Sequence, residues 1–319
     1  MRSISRRAYF FLILIVPSMK YISNEDILAL KISPTTCIEW AREAFALKPM
    51  SQLPPKVSLH PRGNDFFNTM PCILPEEYHT YGCKIVSRVK GQHPALSSEI
   101  VVFDTLTGKL TAVMGADWIT AMRTGAVASL AITTLQRKDA SVYSFVGLGV
   151  VGNTVIEYLL AIYPEREITI RLKRYKDHAE TVARRFASHS NVHFEIVDDM
   201  ESLVNDADVV VSSITDADGL LVADESLFKP GVLVVPIHTR GFQNCDRVFD
   251  RVIADDENHV CGFKYFKEFR SFGELGDVLS GNIEGRTSDD QRILAYNIGL
   301  GLFDVYYAYK ILRLVNEGC

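Results

Sequence analysis

Val142-Tyr143-Ser144-Phe145-Val146-Gly147-Leu148-Gly149-Val150-Val151-Gly152 is the stretch that decides the fold. A short β-prone run enters a Gly-x-Gly-x-x-Gly turn, and residues 151–162 then show the apolar spacing of a helix. In a strand–turn–helix setting each glycine has a physical role. The first permits the tight turn, the second lets a pyrophosphate approach the backbone, and the third lets the helix pack closely on the strand. The amides of the first helical turn then face the anion. The reading is a dinucleotide site at Gly147, Gly149, Val150, Val151 and Gly152.

Outward from the turn, strands and helices alternate. Strand-like runs at 168–172, 193–197, 209–213, 232–235 and 252–254 are rich in valine and isoleucine, and a helix is predicted over 176–188. Near-continuous apolar strands separated by helices indicate a buried parallel sheet, hence an α/β fold with a Rossmann-type doubly wound sheet. Upstream the character differs. An amphipathic helix is predicted over 37–47, mostly antiparallel strands with turns over 56–113, and an alanine-rich helix over 119–135. A last apolar helix is predicted from Asn297 to Leu314, with no obvious place in the parallel sheet.

Composition sets the outer limits. The 319 residues are 47% hydrophobic and 23% charged, which fits a globular chain of about two domains and excludes a disordered or fibrous one. A net charge of −5 provides no general field for a polyanion, so nucleic acid is excluded as the main partner. None of the six cysteines forms a Cys-x-x-Cys pair, which argues for reduced thiols, no metal centre and a cytoplasmic location. At the amino terminus, Arg2, Arg6 and Arg7 precede an apolar run from Ala8 to Val16. That run is too short to span a membrane as a helix. Residues 1–18 read as a leader or a mis-annotated start, and an over-extended start is favoured over an export signal, with Met19 opening the domain.

The tip of the second Rossmann strand selects the cofactor. An acidic residue there would bond the ribose 2′-hydroxyl of NAD. Arg171-Leu172-Lys173-Arg174-Tyr175-Lys176 is basic instead, so Lys173 and Arg174 favour the 2′-phosphate of NADP over NAD.

With the turn placed, the flanking motifs become recognisable. Arg62, Asn68-Thr69-Met70-Pro71, Gly82-x-Lys84-x-Val86, Val102-Phe103-Asp104 and Ile119-Thr120-Ala121-Met122-Arg123-Thr124-Gly125-Ala126 follow one another in order. Gly276-Asp277-Val278, Gly285-Arg286-Thr287-Ser288-Asp289-Asp290, Gly299 and Asp304 come later. Over about residues 20–310 this series resembles the ornithine cyclodeaminase/mu-crystallin family. The resemblance implies a Rossmann domain at 126–296 beside a substrate-binding and dimerisation domain formed by 19–125 with 297–319. It implies a homodimer joined through the sheet of that second domain. It also implies chemistry on small α-amino, α-imino or α-oxo acids: hydride transfer at the α-carbon, redox-neutral cyclodeamination or condensation, or, as in mu-crystallin, simple ligand binding.

The resemblance assigns Arg62 and Arg123 to the substrate carboxylate, where a guanidinium fork matches two oxygens. It assigns Lys84, a lysine within an apolar strand, to proton transfer. Thr120 and Thr124 adjoin the second arginine, and Thr124, Ser213 and Asn297 are expected at the cofactor, with Ser97 or Ser98 adding a contact. One departure stands out. Cyclodeaminases carry an aspartate in the loop after the fifth Rossmann strand, whereas this chain has His238 and Arg240 there and its next acid, Asp246, comes late. His238 is either a site residue or a structural histidine. The loop suits an acidic or oxygen-rich substrate better than ornithine, so hydride transfer is the leading expectation.

Overall fold

The computed structural model describes residues 19–92, 96–215 and 217–318. Residues 1–18, on which the reading of the amino terminus falls, and Cys319 lie outside the described residues.

The chain begins with β1 (Lys20–Ile22), α1 (Asn24–Ala29) and α2 (Pro34–Leu47). Helix α2 starts three residues before the expected 37, because Ser33 caps it and Pro34 occupies its first turn. Five strands follow: β2 (Val57–Leu59), β3 (Phe66–Ile73), β4 (Thr80–Arg88), β5 (Leu96–Asp104) and β6 (Leu110–Gly115). They form a sheet in the order β1-β6-β5-β4-β3-β2, antiparallel except for the β1–β6 pair. Helix α3 (Asp117–Leu135) leaves this sheet and runs without interruption into the second half. The expected boundary at 125/126 falls inside it.

The second half reads β7 (Val142–Val146), α4 (Val150–Ile162), β8 (Ile168–Lys173), α5 (His178–Arg185), β9 (Val192–Val197), α6 (Met200–Val204) and β10 (Val209–Ser212). It continues with β11 (Leu233–Pro236), α7 (Cys245–Val248), β12 (Arg251–Ala254), α8 (Glu257–Val260), β13 (Phe272–Glu274), α9 (Leu275–Ser280) and β14 (Ile293–Tyr296). The eight strands are parallel, in the order β13-β12-β14-β11-β10-β7-β8-β9. Successive strands proceed in opposite directions from the β7–β10 pair, so the topological switch point lies there, at the end of the glycine turn.

Two expectations need correction. Helix α5 is shorter than 176–188, because Lys176 sits at φ +53°, outside the helical region. Four residues just before the expected last helix form β14, buried between β11 and β12, a run too short to show a period of its own. The last helix, α10 (Gly301–Glu317), therefore begins four residues late, after a turn in which Gly299 adopts φ +95°. It returns to the first sheet and lies over β3, β4 and β5 beside α3. No helix among the described residues is long and apolar enough to cross a membrane.

Candidate active site at the domain junction

The return of α10 brings together three charged side chains that are far apart in sequence. Lys84 faces inward from β4 and is 1% exposed, Arg123 is buried on α3, and Asp304 is wholly buried on α10. Asp304 Oδ1 accepts from Lys84 Nζ at 2.8 Å and from Arg123 Nε at 2.9 Å. Its Oδ2 has no hydrogen-bond partner. Burial, and next the positive charge of Arg123, push the Lys84 ammonium down to about 8, while Asp304 pulls the other way. Lys84 Nζ also lies 3.5 Å from Thr120 Oγ1, which is 3.1 Å from Ser98 Oγ. Ser98 in turn donates to Asp117 at 3.0 Å. Ser98 therefore points inward toward this network, whereas Ser97 is exposed.

Beside this cluster a cleft of about 330 Å³ opens between the two halves of the chain. Met70, which pairs with Lys84 across β3 and β4, lines it together with Pro71 and Lys56. Thr239, Asn258 and His259 line it from the Rossmann side. Gly299 is also in the lining, and a Cβ there would collide with the Arg123 guanidinium, so only glycine lets the loop close over that cation. Gly299→Ala is expected to displace Arg123 and raise the KM for substrate roughly tenfold or more, about 1.4 kcal/mol. Steady-state kinetics would check it.

Arg62 does not join this group. It lies between β2 and β3, its side chain is 75% exposed, and its Nε donates to Asp65 at 2.8 Å. The basic residue that reaches the cleft from this part of the chain is Lys56, which lies within electrostatic range of Arg123, Lys84 and Asp255. His238 is held by its own surroundings. Its Nδ1 accepts the Arg240 N–H at 3.2 Å, its Nε2 lies 2.7 Å from Ser212 Oγ, and burial pushes it down to about 4. It is therefore a neutral ring that fixes the loop leaving β11. Arg240 is exposed in that loop.

The remaining expected residues, apart from Thr124 on α3, lie at or just past the carboxyl ends of the parallel strands. Gly147 has φ +86°, and a Cβ on it would strike the Ser213–Ile214 backbone. Ser213 donates its hydroxyl to the Gly147 carbonyl, tying the turn to the end of β10. Gly149 caps α4 with no side-chain hydrogen bond and opens onto empty space, leaving the first-turn amides from Val150 onward directed outward. Val150 is exposed beside them, while Gly152 sits against the Gly147 carbonyl. Asn297 follows β14, accepts nothing on its buried Oδ1, and receives no hydrogen bond there. Thr124 donates to the Thr120 carbonyl at 2.6 Å within α3. Past β8, Arg174 is held by Glu180 and by Asp198 at 2.7 Å, and Lys173 Nζ donates to the Arg174 carbonyl. An open glycine cradle and outward amides at the switch point, with the unpaired buried Asn297 Oδ1 past the end of β14, fit a dinucleotide.

Comparison with known proteins gives one consistent result. The sequence profile of the ornithine cyclodeaminase/mu-crystallin family matches residues 21–318. Nodulation efficiency protein NfeD of Rhizobium meliloti is 26% identical, covering 95% of this chain and 97% of its own. N-((2S)-2-amino-2-carboxyethyl)-L-glutamate dehydrogenase of Staphylococcus aureus is 25% identical over 69% of each chain. Among solved structures, Delta(1)-pyrroline-2-carboxylate reductase of Thermococcus litoralis, in complex with NADH and L-proline, superposes with a TM-score of 0.82. It is 20% identical and covers 94% of this chain and 98% of its own.

Proposed function

The chain belongs to the ornithine cyclodeaminase/mu-crystallin family, and from that premise we propose that it is an NAD(P)-dependent oxidoreductase of a small α-amino, α-imino or α-oxo acid. The observation that carries this reading is the buried Lys84–Asp304–Arg123 cluster at the edge of a cleft between a substrate domain and a Rossmann sheet. When bound, the cofactor supplies or accepts the hydride exchanged at the substrate's α-carbon. Gly147, Gly149, Val150, Val151 and Gly152 hold its pyrophosphate, and Ser213, Asn297 and Thr124 flank it. Arg123 and Lys56 bind the α-carboxylate, the first through the η-nitrogens that Asp304 leaves unused. Lys84 moves the proton on the substrate nitrogen or oxygen. Two relatives with enzymatic names, an amino-acid dehydrogenase and an imino-acid reductase, support this class of chemistry.

Screening amino, imino and oxo acids with each reduced and oxidised nicotinamide cofactor tests the reading. Net formation or loss of reduced cofactor with at least one acid is expected. No net change with any would overturn it in favour of redox-neutral deamination or ligand binding.

The cofactor preferred is NADP, because Lys173, Arg174 and Lys176 crowd the tip of β8. Arg174 already gives two donors to Asp198 and Glu180, so the three basic residues share the 2′-phosphate. Arg174→Ala is expected to lower the NADPH-to-NADH ratio of kcat/KM roughly tenfold, the loss of one charge-assisted hydrogen bond. An unchanged ratio assigns the discrimination elsewhere.

The active species is a cytoplasmic homodimer. Helix α10 covers one face of the six-stranded sheet, and the other presents Tyr21 (64% exposed), Phe67 and Ile85 to solvent. Tyr21, Val113, Val101 and Cys83 continue that face across four neighbouring strands. Ile85→Glu, on a central strand, is expected to convert a species of twice the chain mass into one of single mass by analytical ultracentrifugation. Wild-type protein sedimenting as a monomer refutes the dimer.

A further inference from the structure

Asp255 and His259 form a pair in the cleft wall that the chemistry above does not use. Asp255 follows β12 and is wholly buried. Its Oδ2 accepts the N–H groups of Ile298 at 2.8 Å and Gly299 at 2.5 Å, so it is fixed to the same loop that closes over Arg123. Its Oδ1 lies 3.1 Å from His259 Nδ1, which orients the ring. His259 is 15% exposed and lines the cleft, with Nε2 as its one remaining polar atom.

The charges around the cleft favour an anion. Asp256 is matched by Lys48 Nζ at 2.8 Å and by the Asn258 N–H at 2.8 Å, and Glu274 by Lys48 at 2.5 Å. Asp255 is matched by two amides and His259. Every carboxylate at this wall thus already accepts hydrogen bonds, with Lys48 shared between Asp256 and Glu274. Lys56, by contrast, has no carboxylate partner among the described residues.

We infer that the substrate is a dicarboxylic acid, whose second carboxylate is received by His259 Nε2 while the first lies at Arg123 and Lys56. An imidazolium donates from both nitrogens. A carboxylate at Nε2 therefore completes a carboxylate–imidazolium–carboxylate chain of charge-assisted hydrogen bonds, with Asp255 as the fixed end. Asp255 is a positioning residue. His259 sets specificity. The inference rests on the oxidoreductase reading for its α-carboxylate end, and it also makes a binding claim of its own.

The experiment therefore has two arms, both with the full chain. In the first, oxaloacetate is compared with 2-oxobutyrate, and 2-oxoglutarate with 2-oxopentanoate, each with ammonium and NADPH. The expected dicarboxylate preference in kcat/KM is at least about tenfold. It should shrink roughly 10- to 100-fold in His259→Leu, the range for losing a hydrogen bond to a charged group, and be partly kept by His259→Gln. In the second arm, succinate and glutarate are compared with butyrate and pentanoate for the rise they cause in Tm, with no turnover required. The dicarboxylates are expected to give the larger rise, and His259→Leu to remove the difference. Reduction without a dicarboxylate preference, or a preference that survives in a folded His259→Leu variant, overturns the inference and leaves the oxidoreductase reading intact. If no acid is reduced, a persisting Tm difference upholds the dicarboxylate site while the redox reading falls. The absence of both overturns both.

Discussion

Lys84→Met is expected to lower turnover by roughly 10²- to 10⁴-fold, the range lost when a positioned proton donor or acceptor is removed, with NADPH still bound. Methionine keeps most of the side-chain volume, and Arg123 remains to pair with Asp304, so the fold should survive. The pH profile makes the prediction specific. Burial and the neighbouring Arg123 charge disfavour the ammonium, so Lys84 sheds its proton near 8 instead of near an ordinary lysine's value. If it donates a proton during reduction, kcat/KM in that direction falls as pH rises through about 8. In the oxidative direction it accepts a proton, and the rate rises through the same value. The residual activity of Lys84→Met should lose this inflection in both directions. A variant with wild-type rate, or one keeping the inflection, assigns the proton to another group.

The parts of the molecule legible in the sequence were those encoded by neighbours in the chain. The glycine turn is contiguous, the valine-rich strands announce themselves, and Lys84 and Arg123 each stand inside a local motif. What escaped depends on tertiary placement. Lys56 and Arg62 are two basic residues on the same approach to β3, and only the path of the chain decides that one lines the cleft while the other pairs with Asp65. Asp304 lies 220 residues from Lys84, so nothing short of the packed α10 reveals their bond. For His238 the sequence left two readings open, and the packed loop adds that Ser212 and the Arg240 amide lie at its two ring nitrogens. The Asp255–His259 pair did leave a local trace. An acid and a histidine four residues apart across the start of α8 is an i, i+4 spacing.

Asp304→Asn should have the largest effect on stability. The side chain keeps its shape but loses the charge that holds Lys84 and Arg123 together in a site closed to water. Removing one member of a buried ionic cluster costs about 3–5 kcal/mol, mostly because the remaining charges stay buried and unmatched. That corresponds to a fall in Tm on the order of 10 °C. The sign of its pH dependence identifies the cause. Asp304 is the group that raises the Lys84 value, against burial, Arg123 and Lys56, so without it Lys84 loses its proton at a still lower pH. Stability then recovers in the variant, as pH rises toward 8, before the wild type begins the same gain. The deficit between variant and wild type should therefore narrow as pH rises toward about 8 and stay level above. A deficit that does not change with pH would instead point to packing. The double variant Asp304→Asn with Lys84→Met gives the complementary check. It removes one of the two stranded cations, so it should be more stable than Asp304→Asn alone, although Lys84→Met by itself removes a native contact. A reversal of sign of this kind is the mark of charge and not of lost volume.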